Sequence, residues 1–257
     1  MFRFSIITVV FNGEKVIQKT IESVINQTYP NFEYIIIDGS STDKTMEIVG
    51  KYRSRISVVV SEPDQGIYDA MNKGLRLCSG DYVIFMNAGD TFVNNNTLSE
   101  VIKESGGDKN DFLYADSYEY DPVHHTNFFK RSRPSSTLWY GMFAHHQSMI
   151  YSLHIIQAHS LAYDLRYKLA ADWDFTAKFL EKSTKLFKLK TPVAVFEQGG
   201  ASSTYLTGLK EQFEIRHHTL NFSLLKCYLL FLIQLAANIV RTYIPSVYNV
   251  TRLKSTY

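Results

Sequence analysis

Phe4-Ser5-Ile6-Ile7-Thr8-Val9-Val10, followed at once by Phe11-Asn12-Gly13, is the stretch on which the fold turns. A run rich in β-branched residues, without polar alternation, describes a strand covered on both faces, and such strands belong to parallel sheets flanked by helices. Outward from it, Val16, Ile17, Ile21, Val24 and Ile25 recur at helical spacing, and Pro30 closes that element. Glu33 to Ile37 reads as a second strand, and Ser40-Ser41-Thr42-Asp43 supplies helix-start chemistry before Met46, Ile48 and Val49. Ile56 to Val60 reads as a third strand. Ile67, Ala70, Met71, Gly74, Leu75 and Cys78 then mark one face of an amphipathic helix. Tyr82 to Met86 is a fourth strand, ending in Asn87-Ala88-Gly89-Asp90.

Strands alternating with helices predict an α/β fold with a Rossmann-like, mostly parallel sheet, right-handed crossovers and helices on both faces. Ligands in such sheets bind beyond the carboxyl ends of the strands, here the loops after Val10, Ile37, Val60 and Met86. The middle of the chain is less regular. Asp111 to Tyr120 reads as a strand pair, Asp121 to Tyr140 as a polar, basic stretch, and Ser148 to Tyr151 as a strand. Leu169 to Lys182 reads as a helix, and Val193 to Glu197 as a short strand before Gly199-Gly200. The expected division is residues 1–205, with a nucleotide-binding half 1–115 and a second half 116–205, followed by a helical tail 206–257.

The length of 257 residues suits one large α/β domain with an appendage. Lys and Arg number 27 against 25 acids, so there is no basic excess of the kind a nucleic-acid binder shows. Cys78 and Cys227 are the only cysteines; without CxxC or zinc spacing, Cys78 reads as a buried thiol. The strand-like start, Met1 to Val10, lacks the pattern of a signal peptide, so a cytoplasmic location is expected. Leu224, Leu225 and Tyr228 to Ile233 form an apolar block between Lys226 and Arg241, shorter than the ~20 residues a membrane crossing needs. An interfacial helix, with Arg241, Tyr243, Arg252 and Lys254 at the headgroups, is the expectation; the alternative is a helix packed on the domain.

Asp38, Asp64 and Asp90 follow three of the four strands, so three carboxylates are expected on one rim of the sheet. A carboxylate accepts hydrogen bonds from the ring N–H of a uracil or guanine, and hard cations on a diphosphate take oxygen ligands. Ser5 to Asn12, Ile37 to Asp43 and Ser61-Glu62-Pro63-Asp64-Gln65-Gly66-Ile67-Tyr68-Asp69-Ala70-Met71-Asn72-Lys73-Gly74, in that order, resemble the signature of family-two glycosyltransferases. These are inverting enzymes of GT-A fold, and the likeness is strongest to the branch that assembles bacterial colanic acid, O-antigen and capsule. The resemblance runs from about Arg3 to Ser203.

The resemblance implies that Val10, Asn12 and Asp38 line the nucleoside pocket, with Asp38 accepting from the base, and that Asp64, Tyr68, Asn72 and Lys73 lie near the nucleotide. Against these stand a turn role for Asp38, a solvated charge for Lys73 and a helix-cap role for Asp43, the last preferred. The family's metal motif is an Asp-x-Asp cluster; Asn87-Ala88-Gly89-Asp90 departs from it and leaves Asp90 as the metal ligand for Mn2+ or Mg2+, the alternative being a turn residue. Ala170-Ala171-Asp172-Trp173-Asp174-Phe175 matches the catalytic-base position and selects Asp172, with Asp174 structural. Glu197 to Ser203 resembles the family's closing loop. On the acceptor side the resemblance points to His146, against a packing role, while Lys130, Arg131 and Arg133 are suited to a lipid diphosphate or anionic headgroups, against a solvated loop.

The activity implied is hexosyl transfer from a nucleotide sugar, UDP-linked by preference, to a sugar on a polyprenyl-diphosphate carrier, at the cytoplasmic face of the bacterial inner membrane. A Rossmann oxidoreductase is excluded by the first turn, Phe11-Asn12-Gly13-Glu14, which has no GxGxxG. A processive synthase would carry several membrane spans, and none is read here. A non-catalytic nucleotide-sugar scaffold remains the alternative.

Overall fold

A computed structural model describes residues 2–199 and 205–243. The first half is built from β1 (Phe4–Val10), α1 (Ile17–Ile25), β2 (Phe32–Asp38), α2 (Thr45–Lys51), β3 (Val58–Ser61), α3 (Ile67–Leu77), β4 (Tyr82–Phe85), β5 (Thr91–Phe92) and α4 (Thr97–Glu104). The second adds β6 (Phe112–Tyr114), β7 (Ser117–Asp121), β8 (Thr126–Lys130), β9 (Met149–Ser152), α5 (Leu153–Ala158), α6 (Ala171–Glu181), β10 (Leu186–Lys188) and β11 (Ala194–Glu197). Two further helices, α7 (Tyr205–His218) and α8 (Leu224–Tyr243), follow. The chain divides into two compact units, Met1–Ala201 and Ser202–Tyr257.

Seven strands form the main sheet in the order β10-β6-β9-β4-β1-β2-β3. All run parallel except β9, which is antiparallel to both neighbours, so the sheet is mostly parallel, as the sequence predicts. Every residue of β1 is buried, which is the physical content of its unbroken apolar run. The core on one face joins Ile6, Ile21, Val24, Ile36 and Ile84, where α1 covers the sheet. On the other, Gly74 of α3 sits so close to Ile7 of β1 that a methyl group there would overlap the Ile7 side chain. Parallel register places Val10 beside Asp38, and Asp38 beside Ser61, at the carboxyl rim of three adjacent strands.

A second, four-stranded sheet, β5-β11-β7-β8, was not anticipated. The expected strand pair over Asp111 to Tyr120 is instead two strands in different sheets: β6 pairs with β9 and β10, whereas β7 pairs with β8 and β11. The polar stretch after Asp121 contains β8, an edge strand whose five residues are all exposed, so it carries no burial pattern to be read. Cys78 and Cys227 are free and buried, and burial pushes the Cys78 thiol up to about 12.

The second unit is a helix pair in which Phe213 of α7 packs edge-on against Tyr228 of α8. Leu224, Leu225, Leu229, Leu232 and Ile233 of α8 are exposed. No helix among the described residues is long and apolar enough to cross a membrane. The expected headgroup residues Arg252 and Lys254 lie outside the described residues, as do the side chains of Arg241 and Tyr243 and positions 200–203 of the Gly-rich loop.

Candidate active site

A cleft of about 440 Å3 opens at the carboxyl rim of β1 and β4, lined by Val10, Phe11, Asn12, Asp64, Ile67 and Asn87 among others. Its walls come from the loops after β1, β3 and β4 and from the start of α3, the strand-end placement expected of such a sheet. Asn12 takes a left-handed backbone (φ 50°), which turns the chain out of β1. Its side-chain oxygen accepts from the Thr42 N–H at 2.9 Å and its own N–H donates to Ser41 Oγ at 2.7 Å, locking the first two loops together. Asp43 extends that lock: Oδ1 accepts from the Thr45 N–H at the start of α2, and Oδ2 from the Glu14 N–H.

The three carboxylates do not share one surface. Asp64 lines the cleft, where its Oδ1 accepts from the Gly66 N–H at 2.8 Å. Gly39 lies hard against its other oxygen, so that any side chain at 39 would collide with the carboxylate. Asp38 is fully buried, and its Oδ2 accepts from the Ser61 hydroxyl at 2.6 Å and the Ser41 N–H at 3.0 Å. It therefore fixes the loop that carries Ser41 at the carboxyl rim.

Asp90 is likewise buried. Its two oxygens accept from Gln147 Nε2 at 2.6 Å and from the Glu197 N–H at 3.0 Å, and burial pushes its carboxyl up to about 7. The turn lines the cleft with Asn87 and Ala88, and the Asn87 Oδ1 is buried without a hydrogen-bond partner. Among the described residues no three His, Cys, Asp or Glu side chains gather where they could hold an ion. One neutral oxygen and a carboxylate already committed to two donors do not fit Mn2+ or Mg2+, which take charged oxygens in an open shell. Asp90 links the turn to β11 through the Glu197 N–H.

The face of α3 beyond the cleft is a clamp. Asn72 is buried, exchanging two hydrogen bonds with the Tyr163 backbone at 2.9 and 2.8 Å, so it braces the segment before α6 instead of meeting a ligand. Lys73 pairs with Glu62 at 2.9 Å and donates to the Pro63 carbonyl at 2.6 Å, which holds the Glu62–Gly66 loop; the Glu62 hydrogen bond raises its pKa. Tyr68 stacks on Tyr163 and donates to the Leu169 carbonyl at 3.0 Å, with Asp172 Oδ1 at 3.4 Å.

Asp172 and Asp174 both stand in the first turn of α6 but part company there. Asp174 is fully buried, with Lys178 Nζ at 2.6 Å one turn on. Asp172 is half-buried; its Oδ1 accepts from the Trp173 N–H at 2.9 Å, and Trp173 in turn donates its indole N–H to the Leu138 carbonyl. A half-open carboxylate at a helix N-terminus keeps its access to a substrate hydroxyl.

The two histidines of the pair stand in different surroundings. His146 is in the core, stacked on Phe85 with ring centroids 4.9 Å apart, its Nε2 2.7 Å from the Tyr163 hydroxyl, and burial pushes it down to about 4. Burial thus favours its neutral form near pH 7. His145 faces outward instead, with Nδ1 2.9 Å from Ser117 Oγ and Nε2 3.2 Å from Glu119. Lys130 is exposed and pairs with Glu119 at 3.2 Å.

A mostly parallel sheet, a cleft at its carboxyl rim and a half-open carboxylate at the head of a later helix define a glycosyltransferase of GT-A architecture. The chain belongs to glycosyl transferase family 2, whose pattern matches residues 5–164. It is 29% identical over 208 residues to a PGL/p-HBAD biosynthesis glycosyltransferase of Mycobacterium bovis, covering 78% of this chain and 79% of that one. It is 33% identical over 105 residues to the poly(ribitol-phosphate) beta-N-acetylglucosaminyltransferase TarS of Staphylococcus aureus, covering 39% of this chain and 18% of that one. The fold is shared with a solved structure of TarS residues 1–349 in complex with UDP-GlcNAc (TM-score 0.70, 18% identity, 94% of this chain and 73% of that one). It is shared also with the mannosyltransferase PcManGT of Pyrobaculum calidifontis in complex with GDP-Man and Mn2+ (TM-score 0.63, 14% identity, 99% of this chain and 80% of that one).

Proposed function

We propose that this family 2 enzyme transfers one sugar from a UDP-sugar to a sugar carried on a polyprenyl diphosphate, in the synthesis of a bacterial surface polysaccharide such as O-antigen or capsule. The observation that carries the reading is the bridge from donor cleft to base: Ile67 lines the cleft, and its neighbour Tyr68 reaches Asp172. A nucleoside diphosphate lying along the loops after β1 and β3 presents its sugar toward that end of α3. TarS, solved with UDP-GlcNAc, supports uridine as the base.

In the reaction, Asp172 takes the proton from an acceptor hydroxyl as its oxygen bonds to the anomeric carbon. The bond from that carbon to the diphosphate oxygen breaks in the same displacement, and the electron pair leaves with the nucleoside diphosphate. Attack opposite the leaving group inverts the anomeric centre. The Trp173 N–H holds the carboxylate in place, Tyr68 fixes the backbone at Leu169 just before it, and Asp174 is paired with Lys178. The described residues gather no set of charged oxygens that would cradle Mn2+ or Mg2+.

The exposed apolar residues of α8 support a peripheral seat on the cytoplasmic face of the inner membrane, where a lipid-linked acceptor would be met. The test is a panel of nucleotide sugars with a synthetic sugar-diphosphate-lipid acceptor, comparing the parent chain with Asp172→Asn. Transfer that falls by about 10²- to 10⁴-fold in the variant supports the reading. Nucleotide binding without turnover of any donor would replace it with the scaffold alternative.

A further inference from the structure

A second cavity, about 430 Å3, lies on the small sheet and shares no residue with the donor cleft. Lys130, Arg131, Arg133, Ser117, Ser132 and His145 give it its polar lining. Three of these six side chains are permanent cations; of the acids beside them, Glu119 engages Lys130 and His145, each at 3.2 Å, and Gln198 at 3.1 Å, while Asp116 is taken up by Ser132. His145 and Lys130, His145 foremost, hold the Glu119 carboxyl down at about 2, so it stays charged and is spent on them. The two guanidinium charges remain. Arg133 uses one nitrogen on the Met142 carbonyl at 2.7 Å and lies over the Tyr140 ring, which fixes its direction. Arg131 is exposed and makes no hydrogen bond or ion pair among the described residues.

The frame beneath is rigid. Asp116 Oδ1 accepts from both the N–H and the hydroxyl of Ser132, at 2.8 and 2.7 Å, and Lys188 donates to the Ser132 carbonyl at 3.1 Å. Two arginines on either side of a pinned residue, beside a lysine and a histidine, make a fork of donors suited to a phosphate, which guanidinium groups bind in pairs of hydrogen bonds. The segment that carries Arg133 runs on to Leu138, whose carbonyl accepts from Trp173, the neighbour of Asp172. A group held in this cavity is therefore attached to the element that contacts the head of α6.

We propose that this cavity is an anion site for the phosphate or diphosphate ester that links the acceptor sugar to its carrier. The donor's diphosphate has its own cleft, so a second phosphate site implies a second phosphorylated substrate. The assignment rests on the functional reading above, with Arg131 as its main unspent donor.

The experiment is calorimetric titration of the full chain with inorganic pyrophosphate, with and without saturating UDP, for the parent, Arg131→Gln and Arg131→Gln/Arg133→Gln. The expected result is pyrophosphate affinity reduced about tenfold or more by the single change and further by the double one, with UDP neither competing nor altered in its own affinity. Equal pyrophosphate affinity in all three, or displacement by UDP, would overturn the site. The acceptor source is tested by KM: Arg131→Gln should raise it for a diphosphate-linked acceptor and leave it unchanged for the same sugar on an uncharged aglycone. Sedimentation with phosphatidylglycerol vesicles covers the lipid source, and a variant that loses vesicle binding while acceptor KM is unchanged overturns the acceptor assignment. Failure of the functional reading would show separately, as no donor turned over by the parent chain, whereas pyrophosphate binding is read without turnover.

Discussion

The Tyr68 hydroxyl stands 3.4 Å from Asp172 Oδ1 while donating its proton to the Leu169 carbonyl at 3.0 Å. The phenol's one proton ties the donor-side helix to the backbone just before α6, and its oxygen stands beside the carboxylate without donating to it. Tyr68→Phe keeps the ring stack on Tyr163 and removes only the oxygen. We expect kcat to fall up to about tenfold with KM for the donor unchanged, since one neutral hydrogen bond contributes ~1 kcal/mol. Steady-state kinetics on both substrates measures this, and a change confined to donor KM would assign Tyr68 to nucleotide binding instead.

Gly74 is a helix-interior glycine whose replacement by alanine would ordinarily stabilise by up to ~1 kcal/mol. Here the added methyl meets the Ile7 side chain, in a strand buried at every residue. Overpacking of that kind costs ~1–3 kcal/mol, so the sign reverses. Gly74→Ala should melt several degrees below the parent in a thermal scan, and an unchanged or higher Tm would show that α3 can move off the sheet.

The first four strands and three helices were legible because each carries a burial pattern at a single period, and β1 above all because both its faces are covered. The small sheet was not. Its strands are short, β8 is wholly exposed, and β7 leaves β6 for another sheet across the two residues Ala115 and Asp116, where no turn signal marks the change. Within the site, the loops were placed correctly at the strand ends, but the direction of each side chain was not readable. Asp38 and Asp90 turn inward because Ser61, Gln147 and the Glu197 N–H, up to 107 residues away, supply their donors. Pairings of that span leave no trace in local spacing, and the same holds for Asn72 and Tyr163.

His146 gives the fold a pH dependence. Burial holds its folded pKa at about 4, below the ordinary 6.5, so its neutral form contributes stability that is present above 6.5 and lost as pH falls toward 4. The loss across that window is on the order of 3 kcal/mol. Denaturant unfolding of the parent and His146→Gln between pH 7 and 4.5 should show the parent losing stability more steeply on acidification. Parallel curves would mean that His146 titrates normally and is not sealed in the core.

Asn87 is the only residue of its turn to put a side-chain oxygen where the cleft begins, and that oxygen is buried and unpartnered, while Asp90 turns away to Gln147. A divalent cation would therefore find one neutral protein ligand and would depend on diphosphate oxygens for the rest of its shell. Titration of Mn2+ into the chain alone should show no binding below about millimolar concentration, because a lone amide oxygen does not replace the ion's water. With UDP present, binding should tighten by more than tenfold if the ion enters only as part of the nucleotide complex, and by linkage Mn2+ should tighten UDP equally. Micromolar Mn2+ binding without nucleotide would instead mean that Asp90 swings out to face the cleft, and Asp90→Asn would then abolish it.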